Sequence, residues 1–312
     1  MARVLVTGGA GYLGSILVEY LLAKDHQVTV VDNFMYKQTS LLRFCSHVKF
    51  DVVNCDCRDF DKYKDAIDFS DFVFPLAAIT GAPACDKDPD RSKKINFDAV
   101  WDLCRRLSRR QVVIYPNTNS GYGIMEEGTS ECTEESPLNP VSYYGKHKCR
   151  AEQAVMEGEN SVTFRLATVF GVSSRMRLDL LVNDLVYRAV TDRAIALFEG
   201  DFKRNYISIH DVARAFVFAM NRIDHLRGQV YNLGLDSANL SKRELCGKIK
   251  EQVPELEIFE SKLGKDPDKR NYIVSNKKLE NAGFKASVKI ESGIFELLQA
   301  FRMIRRTEFS NL

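Results

Sequence analysis

A doubly wound α/β architecture on a parallel sheet is what this 312-residue sequence predicts, and three observations carry the expectation. Short β-rich apolar runs alternate with longer stretches of helical periodicity through the first half, the mark of βαβ units. A glycine-rich stretch, TGGAGYLG, directly follows the first apolar run and opens the first helical one. Beyond Gly171 the alternation stops, so a smaller, mainly C-terminal lobe is expected beside the sheet.

Six strands are expected, at residues 4–7, 28–31, 48–50, 72–76, 112–115 and 162–166. Between the first two, YLGSILVEYLLAKD places Leu13, Leu17, Tyr20 and Leu21 at helical spacing. Further helices are expected near 96–108 and 141–156, and mainly helical pieces over 173–203 and from 236 onward. In a doubly wound sheet ligands bind at the carboxyl ends of the strands, which puts YPNTNSGYG (residues 115–123) at that edge. The same stretch would also serve as a polar turn.

Composition sets bounds. With 45% hydrophobic and 28% charged residues the chain has the make-up of an ordinary globular protein. A net charge of +2 excludes a strong general attraction to nucleic acid or to an anionic membrane. No apolar run approaches the roughly 20 residues that span a bilayer, and the first one, RVLVTGG, leaves no room for a leader, so a cytoplasmic location is expected. Eight cysteines lack the paired spacing of a zinc site and read as reduced thiols; no metal is expected.

Gly8, Gly11 and Gly14, at three-residue spacing between strand and helix, let the backbone approach a pyrophosphate, which the helix amino terminus then attracts. Asp32 ends the second strand, 18 residues beyond Gly14, where a carboxylate accepts from ribose hydroxyls and repels a 2′-phosphate. NAD is therefore the expected cofactor. Asp56 lies after the third strand, beside the adenine or in a surface loop. The cofactor domain is expected over 1–171, with 204–233 returning to it, and the substrate lobe over 172–203 and 234–312.

Tyr144 and Lys148 stand four apart, on one helix face. A phenol is a poor base near neutrality, and a close ammonium favours its ionised form; lowering its pKa by about two units takes about 2.7 kcal/mol. Such a tyrosinate can remove a hydroxyl proton as hydride leaves the same carbon, with Thr118 bonding the substrate oxygen. An exposed helical pair is the alternative.

In this order, TGGAGYLG, Asp32, Thr118 and Tyr144-x-x-x-Lys148 resemble the extended short-chain dehydrogenases, the Rossmann-fold family of nucleotide-sugar epimerases and dehydratases. The resemblance spans nearly the whole chain, through FPLAAITG, RLATVFG, KRNYISIHDV and DPDKRNYIVSNKKL. It implies Thr118, Tyr144 and Lys148 as the catalytic triad, and cofactor contacts from Tyr12, Leu13, Asn33, Asp56, Cys57, Leu76, Ala77 and Ala78. It further implies Arg204 on the substrate diphosphate, Asp268 on the nucleotide ribose and Arg270 on a phosphate, with Thr80, Asn119, Ser120 and Thr168 beside the sugar. SSRMRLDLLVND offers Arg175, Arg177 and Asn183 to the same pocket, unless the two arginines form a solvated basic turn.

Two departures matter. Many relatives have His where Pro75 stands, and the family's dehydratases follow the catalytic Thr with Asp and Glu, where this chain has Asn119 and Ser120. The stretches PLAAITGAP, YPNTNSGYG and RLATVFGVSSRMRLDLLVND are most similar to the GDP-heptose 4-dehydrogenases of capsule and surface-polysaccharide synthesis, which implies oxidation without dehydration. A 4-epimerase and a non-catalytic dinucleotide-binding regulator are the competing expectations. The resemblance also implies a homodimer or homotetramer packed through the helices at 96–108 and 144–156.

Overall fold

The computed structural model describes residues 1–124, 130–260 and 271–304. The chain opens with β1 (Arg3–Thr7), α1 (Tyr12–Ala23), β2 (Gln27–Asp32), β3 (Phe50–Asn54), α2 (Lys64–Phe69) and β4 (Phe72–Pro75). It continues through α3 (Ala82–Lys87), α4 (Pro89–Lys93), a π-helical turn (Lys94–Asp98), α5 (Ala99–Cys104), β5 (Val112–Thr118), α6 (Tyr143–Met156) and β6 (Ser161–Leu166). Then follow β7 (Thr168–Phe170), α7 (Leu181–Thr191), β8 (Ala194–Leu197), β9 (Lys203–Ser208), α8 (Ile209–Asn221), α9 (Ile223–Leu226) and β10 (Gln229–Leu233). The last elements are β11 (Asn239–Ser241), α10 (Lys242–Gln252), β12 (Glu257–Glu260), α11 (Lys277–Asn281) and α12 (Ile290–Ala300).

Seven strands make one sheet in the order β10-β6-β5-β4-β1-β2-β3, every pairing parallel. The order reverses at β1, and the crevice there, between the ends of β1 and β4, is where such sheets bind ligands. The interior strands are buried on both faces and mainly apolar, as a sheet covered by helices requires, with polar residues such as Thr7, Asn117 and Arg165 towards their ends or paired inside. The seventh strand, β10, comes from the second half of the chain and pairs with β6.

Three expectations need correction. The third strand begins at Phe50 rather than ending there: Val48 is almost fully exposed, and the pairing with β2 starts at Phe50. The helix expected over 96–108 starts instead at Pro89, where Asp88 caps it by accepting from Arg91 N–H and proline takes the first turn. It then passes through the π turn and ends at Cys104. The segments 173–203 and from 236 onward carry the expected helices α7, α10, α11 and α12, but also short strands outside that expectation: β11-β9-β7 form a second sheet and β12-β8 a third. These strands are three to six residues long, too short to leave an alternating pattern.

Ala167 alone separates β6 of the large sheet from β7 of the second, and its N–H donates to Leu233 O at 2.9 Å. One apolar core runs from Leu17 and Phe164 under the large sheet, through Phe216, to Val186, Ile249 and Ile294 of the later helices. Among the described residues no helix is long and apolar enough to cross a membrane.

Candidate active site

A cleft of about 560 Å³ opens over the carboxyl ends of β1, β4, β5 and β6. Its floor is the glycine turn. Gly8 has φ +72°, and a Cβ there would fall 2.5 Å from Ala77 N; a Cβ on Gly14 would fall 2.5 Å from Gly8 O. Both positions therefore need glycine, for the left-handed turn and for close approach of strand, helix and the 76–81 loop. Gly11 precedes α1 with no side chain capping the helix, so the first-turn N–H groups face the cleft as an anion cradle suited to a pyrophosphate. Tyr12, Leu13, Leu76, Ala77 and Ala78 line the same floor.

At one end lie Asp32, Asn33, Asp56 and Cys57. Burial pushes the Asp32 carboxyl up, opposed by bonds from Phe34 N–H, Ala10 N–H and the Gln38 amide. Asp56 is held below the usual carboxylate range by Arg58, which grips it at 2.7 and 2.8 Å. Burial takes the Cys57 thiol up to about 12, leaving it neutral. Arg175 belongs to this end: its guanidinium lies 4.9 Å from the centre of the Tyr36 ring and within electrostatic reach of Asp32. It lines the same cleft as Arg177, as expected, with Arg177 and Asp179 also within electrostatic reach.

The expected triad shares the middle of the cleft. Thr118 ends β5; its hydroxyl donates to Ser120 Oγ at 2.9 Å and accepts from Ser120 N–H at 3.1 Å. Ser142 caps α6 by accepting from Gly145 N–H, so Tyr144 sits in the first turn and Lys148 one turn on. Tyr144 packs against Ile79, Cys85 and Ile95. Lys148 is buried with its ammonium 4.0 Å from the centre of the Tyr115 ring, and burial brings it down to about 7.

Toward the other end, Arg177 clasps Asp179 through Nε at 3.1 Å and donates from Nη1 to Thr80 Oγ1 at 2.7 Å. Thr168, at the start of β7, and Arg204, in β9, also line the cleft. Two expected substrate contacts do not. Asn183 is fully buried, accepting from Gly171 N–H and donating to Arg177 O and Tyr12 Oη, because the chain needs its amide to tie α7 to the loop after β7. Asn119 is buried behind Ser120, away from the lining, while Ser120 remains in it. Asp268 and Arg270 lie outside the described residues.

Several site residues gave no sequence signal of this kind. Asn96, in the π turn, accepts from Ile79 N–H and donates to Ile79 O, both at 2.8 Å, clamping the 76–81 loop. Ser173 bonds Ser15 at 2.9 Å and Tyr12 O at 2.7 Å, stitching the loop after β7 to the glycine turn. Glu152, two turns beyond Tyr144, pairs with Arg165 at 2.7 Å and accepts from Asn117 at 2.6 Å. The spacing Tyr144, Lys148, Glu152 puts all three on one face, and the repeat of four was the only available hint of the third.

Comparison with known proteins places this geometry. The model of the NAD dependent epimerase/dehydratase family matches residues 4–234. The low-salt glycan biosynthesis protein Agl12 of Haloferax volcanii is 26% identical over 309 residues, covering 93% of this chain and 96% of that protein. A putative UDP-glucose 4-epimerase of Methanocaldococcus jannaschii is 25% identical over 317 residues, covering 97% and 100%. Among solved structures, a UDP-glucuronic acid 4-epimerase of Bacillus cereus, in complex with UDP-glucuronic acid and NAD, superposes with a TM-score of 0.84 at 22% identity, covering 96% and 98% and sharing the fold. With its glycine turn, Asp32 and the triad positions gathered over the switch point of a seven-stranded parallel sheet, the chain belongs to the NAD dependent epimerase/dehydratase family.

Proposed function

We propose that this enzyme oxidises the C4 hydroxyl of a nucleotide-diphosphate sugar to a 4-keto sugar, with GDP-heptose as the substrate that the resemblance names, in surface-polysaccharide assembly. The observation that carries the reading is the convergence of Thr118, Tyr144 and Lys148 on the cleft floored by the glycine turn. NAD, when bound, accepts the hydride. Gly8, Gly11 and Gly14 receive its pyrophosphate and Asp32 its ribose hydroxyls. Tyr144 takes the hydroxyl proton, and Thr118, fixed between the two Ser120 bonds, orients the substrate oxygen. Lys148 sits one turn away and adds positive charge while protonated. Arg204 meets the diphosphate from β9.

Elimination of water is disfavoured by the residues after Thr118: the Asn119 amide is buried out of the cleft and Ser120 is an alcohol. Epimerisation at C4 uses the same triad, and the Methanocaldococcus relative's name supports it as the second reading. Incubation with GDP-, UDP- and dTDP-sugars separates these outcomes by mass spectrometry and NMR: loss of two hydrogens for oxidation, loss of water for dehydration, unchanged mass with inverted C4 for epimerisation. Tyr144→Phe should lower turnover by about 10²- to 10⁴-fold while leaving nucleotide-sugar affinity within a few-fold. A product lighter by one water overturns the reading.

A further inference from the structure

The positive charge that a catalytic phenol needs has an insecure source in Lys148. Its ammonium is buried over the Tyr115 ring, and burial, opposed by Cys149 and Glu152, brings it down to about 7, so it sheds charge in the range where a base is wanted. An arginine keeps its charge throughout. Arg177 lies in the same cleft, moored on two sides: Asp179 holds Nε at 3.1 Å, and Thr80 Oγ1 accepts from Nη1 at 2.7 Å. Thr80 follows Ile79, and Ile79 belongs to the small apolar cluster against which Tyr144 packs. The mooring therefore fixes the guanidinium in the wall of the cleft that Tyr144 also lines, within electrostatic reach of its hydroxyl.

We infer that Arg177, held by Asp179 and Thr80, is a positioning residue for proton transfer whose permanent positive charge favours the deprotonated Tyr144 hydroxyl. The inference rests on the reading of Tyr144 as the proton acceptor. The neutral and titrating groups packed near Tyr144 supply less lasting positive charge. Cys57 and Cys85, from the cluster, are pushed up by burial and stay neutral, and so does Tyr115 of β5. Lys148 of α6 loses its charge above about 7. Asp179 is held as a carboxylate by Arg177 and opposes it, so the field at Tyr144 is a difference between two charges that can be changed one at a time.

The test is a spectroscopic titration of the NAD-free protein, following phenolate absorbance and subtracting the same curve for Tyr144→Phe to isolate Tyr144. Arg177→Gln should raise the Tyr144 midpoint by about one pH unit, a tenfold fall in phenolate at fixed pH. Asp179→Asn should lower the midpoint by a similar amount, and Thr80→Val, which loosens the mooring, should raise it less. Circular dichroism checks folding; should Arg177→Gln fail to fold, the opposed shifts of Asp179→Asn and Thr80→Val still decide. An unchanged midpoint in the folded variants, or shifts of one sign for Arg177→Gln and Asp179→Asn, overturns the inference. Because the titration needs neither cofactor nor substrate, its outcome is separate from the proton-acceptor reading, which fails instead if Tyr144→Phe retains full turnover.

Discussion

Lys148 enters the fold at a cost that the site accepts. Its folded pKa of about 7 lies below the roughly 10.4 of a solvated lysine. Between these values the unfolded chain binds the extra proton and the folded chain does not, so stability rises with pH through that window. Below about 7 both states are protonated and the penalty of burying the charge is present in full. Lys148→Met should therefore raise the melting temperature of the NAD-free protein by a few degrees at pH 6. The gain should shrink steadily towards pH 10, while turnover is lost at every pH. A constant gain across that range, read by scanning calorimetry, would contradict the assignment. On the proposed function, that outcome would place Lys148 with active-site residues whose removal stabilises a fold and abolishes its use.

Helix α6 holds the face bearing Tyr144 and Lys148 by means of a buried pair one turn beyond Lys148. Glu152 and Arg165 are 6% and 7% exposed, and Arg165 also donates to Tyr122 Oη at 3.1 Å and Glu134 O at 2.9 Å. Glu152 accepts from Asn117, the residue before Thr118, so a single carboxylate ties the strand bearing Thr118 to the helix bearing Tyr144. Glu152→Gln strands the Arg165 charge and should cost about 3–5 kcal/mol in urea denaturation, whereas Glu152→Leu with Arg165→Met should restore most of that loss. The pair also marks where the sequence could be read and where it could not. The glycine turn, Asp32 and the Tyr144–Lys148 helix were legible because each is local: a spacing of three, a strand end, a repeat of four. Arg165 lies 13 residues from Glu152, and Arg177 lies 97 from Thr80, so neither contact leaves a periodic trace. Asn183 looked like a pocket residue for the same reason, since only the folded path of the Gly171 loop shows that its amide is spoken for.

The whole chain presents a further apolar surface on the helices that frame the cleft. Trp101 and Tyr143 are 41% and 46% exposed, Phe97 stacks on Trp101, and Arg105 and Arg150 lie against these rings. Aromatic rings interleaved with arginines are favoured at protein interfaces, and the expected self-association runs through these helices. Light scattering should give a dimer or larger species for the natural chain, and Trp101→Glu should shift it to the monomer mass at micromolar concentration. A monomer before substitution would remove this surface from consideration. The splice at Ala167 bears on how such an assembly can work. With one residue between β6 and β7, a backbone bond locking that residue to β10, and a core common to both sides, the junction has no slack in which to bend. Mechanically the junction is expected to act as a weld between two plates, so that a twist of one carries to the other. If the chain self-associates as proposed, a push on the outer helices would arrive at the cleft as displacement, and substrate would enter past side chains and loops at the rim.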